Sequence, residues 1–167
     1  MEISVQVEPA NGAPAPVEYR WDTDTAILTA HLPDPGDGPG LSGSVELAGN
    51  DGSWLILDVK GGRLRGVEVA VWPDVRKRAG LRAPGEVESA RLAVPARRAH
   101  EAVAVLQMDT AIDAEADPEE SVIHFRLGGH RASRTVRIAR DLLVDLDERE
   151  VLAGLWLLSV PPFPADE

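Results

Sequence analysis

Carboxylates and histidines have the greatest chemical reach in this 167-residue chain, which contains no cysteine. Asp22-x-Asp24 and the series Asp113, Glu115, Asp117, Glu119 and Glu120 offer the oxygen ligands that Ca²⁺ and Mg²⁺ take. Their spacing lacks the sixth-position glycine and the terminal bidentate glutamate of a calcium loop, so they read as solvated strand entries. Asp58 and Asp145 each follow an apolar run at the mouth of a hairpin, where an aspartate commonly accepts backbone N–H groups and fixes the turn. His31, His100, His124 and His130 fall into no HxH or HExxH arrangement, which signals no metal-ligand set. Ser53, Ser121, Ser133 and Ser159 lack a nucleophile elbow, and the prolines of the stretch from Pro33 to Gly40 delete the N–H donors that a phosphate loop needs. No catalytic, metal or cofactor-binding residue is therefore assigned, and no cofactor is expected.

The elements that must position these residues are strands. Ile3, Val5 and Val7 alternate with polar residues, as do Leu28, Ala30 and Leu32. Trp54-Leu55-Ile56-Leu57, which looks buried on both faces, leads through Gly61-Gly62 into Leu64, Val67, Val69 and Val71, the layout of a hairpin. From 96 to 108 the spacing of Ala99, Val103 and Leu106 suits a short helix, with a strand over 102–108 as the alternative.

An internal repeat organises these signals. Asp24 to Leu32 aligns without a gap on Glu119 to Leu127, placing Asp22 on Asp117, Thr29 on His124 and His31 on Arg126. Val45-Glu46-Leu47 then matches Val136-Arg137-Ile138, Leu55 to Asp58 matches Leu142 to Asp145, and Leu64, Gly66, Val67, Val69 and Pro73 match Leu152, Gly154, Leu155, Leu157 and Pro161. The offsets change only in turn-like stretches, as duplication predicts, because loops tolerate insertion and paired strands do not. The expected fold is mainly β, with tandem meander-like repeats over 1–73 and 86–167, a basic linker over 74–85, and pseudo-two-fold packing. If the copies face one another, Asp22, Asp24, Thr29 and His31 would join Asp117, His124 and Arg126 in a shared anion-binding groove; otherwise these columns form a wet outer face. At the matched positions Glu68 and Trp156, an outward site has become a large aromatic, which the opposite copy or a partner chain should cover.

Tyr19, Asp22, Asp24 and Leu28, followed by Leu55-Ile56-Leu57-Asp58, Gly62, Gly66, Val67 and Glu68, form a Tyr-x-x-Asp opening and a glycine-marked hairpin. This pattern, spanning residues 17–72, resembles a family of small bacterial β domains, the domain of unknown function 2283. The second repeat retains Asp117, Asp145 and Gly154, but has Ala114 in place of Tyr19 and Trp156 in place of Glu68. The resemblance implies a fold and no activity.

Composition narrows the partners. A net charge of −11 repels phosphate backbones and anionic lipid, so neither nucleic acid nor membrane is expected. The absence of a long apolar run and of a signal-like N-terminus points to the cytoplasm. The leading functional expectation is a non-enzymatic binding or interaction module, whose partner is another protein or a second copy of itself. The alternatives are a small-molecule enzyme using carboxylates and a histidine at the groove between repeats, and a structural subunit of an assembly.

Overall fold

The computed structural model describes residues 3–10, 12–33, 42–94, 103–129 and 131–164. His100, His130 and most of the Pro33–Gly40 stretch lie outside them. The first half carries β1 (Gln6–Pro9), β2 (Glu18–Asp22), β3 (Ile27–His31), β4 (Ser42–Ala48), β5 (Trp54–Lys60) and β6 (Arg63–Val71). Next come β7 (Val75–Lys77), β8 (Glu88–Ala93) and β9 (Val103–Asp109). The second half is β10 (Ile112–Ala116), β11 (Ile123–Leu127), β12 (Arg134–Ala139), β13 (Leu142–Leu146) and β14 (Leu152–Leu157). The fold is all-β, a curled sheet with no helix among the described residues. The helix weighed for 96–108 is corrected accordingly: 103–109 is strand β9, held in parallel register along the whole of β4 from Ser42↔Val103 to Ala48↔Asp109. A partner strand so distant in sequence leaves no local signal, and β9 takes its backbone bonds from it.

The halves have the same strand order, β2-β3-β6-β5-β4 and β10-β11-β14-β13-β12. Their registers agree as well. Leu28 pairs with Val69 as Ile123 pairs with Leu157, and Asp58 pairs with Gly66 as Asp145 pairs with Gly154. Both hairpins have an irregularity immediately after the aspartate. Gly61 and Gly62, at φ of 57° and 78°, supply the left-handed turn between β5 and β6.

One core joins the halves, drawing Leu28, Ala30, Leu55 and Val69 from the first and Ile123, Phe125, Leu142 and Leu157 from the second. The halves are also stitched together by the backbone: β1 pairs with β8, β8 lies parallel to β12, and Leu152 N donates to Ile3 O. Tyr19 of β2 reaches across to donate its hydroxyl to Leu158 O at 2.7 Å, and burial pushes its phenol pKa up from the ordinary 10.0. The stretch 74–85 does more than link: β7 pairs parallel with β10, and Leu81 is buried. β5 alternates between a buried and a partly exposed face, whereas β13 and β14 are buried throughout. Val71, the last residue of β6, is 47% exposed. No helix among the described residues is long and apolar enough to cross a membrane.

Candidate functional site

Alternation on β3 and β11 places Leu28, Ala30, Ile123 and Phe125 in the shared core. Thr29, His31, His124 and Arg126 are therefore turned away from it, on separate outer faces. The two polar columns do not converge. Arg126 lies on Glu115 at 3.7 Å, and neither Thr29 nor His31 makes a side-chain hydrogen bond to a described residue. Asp22 accepts the N–H groups of Asp24 and Thr25 at 3.0 and 3.4 Å. Asp117 accepts those of Ser121 and Val122 at 2.7 and 3.0 Å and the Ser121 hydroxyl at 2.8 Å. The Val122 and Ser121 bonds hold the Asp117 carboxyl below its usual range. Both carboxylates organise turns.

His124 has a different surrounding. Its Nε2 lies 2.8 Å from Oδ2 of Asp145, a carboxylate only 3% exposed. Oδ1 of Asp145 accepts the Thr135 hydroxyl at 2.6 Å and the Trp156 indole N–H at 3.3 Å, while the His124 ring stacks on Trp156 at 3.8 Å. These donors come from β11, β12 and β14, neighbours or near neighbours of β13 in the sheet. The turn-capping role read for Asp145 is thus corrected: its acceptors serve side chains, and the turn is fixed by Asp147, which accepts from Arg149 N and Val151 N. Three donors compensate the desolvation of a buried carboxylate. Gly154 is required alongside, because a Cβ there would stand 2.7 Å from Asp145 Oδ2 and 2.7 Å from Phe125 O.

Leu81, Leu143 and Trp156 form a second small core, with Ala83 and Val87 packed on it. Trp156 is covered by this intervening segment, not by the opposite repeat or another chain. The hydrogen bonds also lack the order of an acyl-transfer triad, in which a nucleophile bonds the histidine and the carboxylate orients it. Here Thr135 bonds the carboxylate itself.

Between the halves runs a groove of other residues. Trp21 at the end of β2 stacks on Trp72 at 5.7 Å and 21°, and Phe163 meets Trp21 edge-on at 5.2 Å and 83°. The indole N–H groups donate to Pro161 O at 2.9 Å and to Ala26 O at 2.8 Å, which fixes the rings. Pro161, Pro162, Ala116 and Ile123 complete an apolar floor, Glu119 and Glu120 stand on the rim, and the cavity holds about 250 Å³. Lys77 Nζ lies 3.1 Å from Glu120. Sequence reasoning passed over these rings. The available signals were Trp21 in a chain with only 4% aromatics and the Pro-Pro-Phe-Pro tail. No family model and no curated protein sequence matches this chain.

Proposed function

We propose that the chain is a cytoplasmic binding module, a duplicated pair of the small β domains it resembles, whose partner surface is the aromatic groove between its halves. The observation that carries this reading is the concave array of Trp21, Trp72 and Phe163, with Phe163 45% exposed. Shared strand order and register support duplication. A cavity of about 250 Å³ suits one or two side chains. Aromatic faces below carboxylates favour an apolar side chain followed by a cation. The Lys77–Glu120 pair, with both side chains more than half exposed, is weak enough to exchange for such a partner. The occupant is thus a basic, apolar segment of another protein.

The test is titration of the isotope-labelled protein with the peptide acetyl-Lys-Leu-Leu-Lys-amide, monitoring the indole N–H resonances of Trp21 and Trp72. These two should shift, those of Trp54 and Trp156 should not, and Phe163→Ala should weaken the response. Acetyl-Glu-Leu-Leu-Glu-amide should produce none at the same concentration. No shift with the lysine peptide, or equal shifts with both peptides, would overturn the reading.

A further inference from the structure

A second cavity, independent of the groove, opens at the seam where the loop of residues 12–15 and the starts of β6 and β8 meet β12. We propose that it binds a small amphiphilic anion, a carboxylate or phosphate carried on a short apolar body. Arg63, Arg91 and Arg137 all line it, and among the described residues no carboxylate does. That is a local reversal of sign in a chain with 28 acidic and 17 basic residues. Like charges gathered in a concavity repel one another, and an anion placed among them removes the repulsion and is concentrated by the focused field.

Arg91 and Arg137 retain donors for such a ligand, and Arg63 adds its charge to the lining. Arg137 spends Nη1 on Arg140 O, leaving the rest of its five-donor fork. Arg91 makes no ion pair or hydrogen bond with a described residue. Arg63 lies 3.6 Å from Glu8, a loose pair whose carboxylate is 44% exposed. Arginine forks match two-oxygen anions in bidentate geometry. Leu64, Leu92 and Ile138 form apolar wall between the charges. This wall would be wasted on a bare inorganic ion, and it selects a ligand with a hydrocarbon portion. The cavity holds about 190 Å³, which limits that portion to a few carbons.

Calorimetric titration of the intact protein tests this with four probes: hexanoate, hexyl phosphate, inorganic phosphate and hexanol. At least one of the first two should bind one-to-one and at least roughly tenfold more tightly than inorganic phosphate, since each buried methylene adds affinity. Which of them binds more tightly identifies the head group. Hexanol should not bind measurably. Arg91→Gln and Arg137→Gln should each weaken the anion by roughly tenfold, the loss of a charge-assisted bond. Arg91 is exposed, so its variant will fold even if Arg137→Gln does not. Failure of both organic anions to bind at about 10 mM, a ceiling set by millimolar affinity, would overturn the proposal. So would hexanol or inorganic phosphate binding equally well, or unchanged affinity in Arg91→Gln.

Discussion

The outer faces of the two halves share one scaffold and carry opposite chemistry. In the first half the row across three strands is Thr29, Glu68 and Ile56, all partly exposed, with Asp58 exposed beside it. In the second half the same row is His124, Trp156 and Leu143, with Asp145 buried beside it. A hydroxyl residue stands opposite in both: Ser44 opposes Asp58 as Thr135 opposes Asp145. The halves differ in their cover. Leu81, Ala83 and Val87 lie over the second face, and nothing equivalent lies over the first among the described residues. Once an aspartate at that position is covered, it needs donors, and the neighbouring strands supply an imidazole, a hydroxyl and an indole. A carboxylate that water would otherwise solvate has become the hub of a network.

The largest test of this contrast is truncation of the matched pair. Trp156→Ala should cost about 3–5 kcal/mol, because it opens a cavity under Leu81 and removes both a donor to Asp145 and the ring on which His124 stacks. Glu68→Ala should stay within about 0.5 kcal/mol, as surface changes do. Urea denaturation of the two variants measures the difference. A Trp156→Ala protein as stable as the wild type would mean that the 81–87 segment does not seal that face.

Much of this architecture was legible in the amino-acid sequence. The changing offsets of the repeat placed Leu28, Asp58 and Gly66 against the residues that occupy their positions in the second half, since hydrophobic alternation fixes register and loops absorb insertions. The sites were less legible, for a physical reason. Asp145 draws its partners from positions 124, 135 and 156, and the groove assembles 21, 72 and 163, so each depends on strand order rather than on spacing within any segment. Asp145 and Asp58 read alike as turn residues, because nothing adjacent to either records whether a distant segment will cover it. The basic side chains of 76–78, read as solvated, are more than half exposed, while Arg76 and Arg78 lie on Glu115 and the nearby Leu81 turns inward.

A middle-sized test uses the paired glycines. Gly154→Ala would force a methyl against Phe125 O and Asp145 Oδ2, both at 2.7 Å, and should cost about 1–3 kcal/mol as overpacking does. Gly66→Ala meets Ala30 O most closely, at 3.0 Å, beside an exposed Asp58, and should cost less. Equal losses in thermal or urea melts would show that the backbone carbonyl sets the cost and the covered aspartate adds nothing.

The smallest effect belongs to the two turn aspartates. Asp117 accepts two backbone N–H groups and a serine hydroxyl, and Asp22 accepts two N–H groups at greater length. Because these bonds, Val122 N–H foremost, lower the native pKa of Asp117 below its unfolded value, its stabilisation is present above about pH 4 and disappears as pH falls through the native value. The turn is open to water, so the contribution should not exceed about 1 kcal/mol. Asp117→Asn should lower the melting temperature at neutral pH, with the gap to wild type closing on acidification. Asp22→Asn should lower it less. A gap for Asp117→Asn that persists undiminished as the pH falls through the native pKa would show that packing of the turn and not the charge is what the asparagine disturbs.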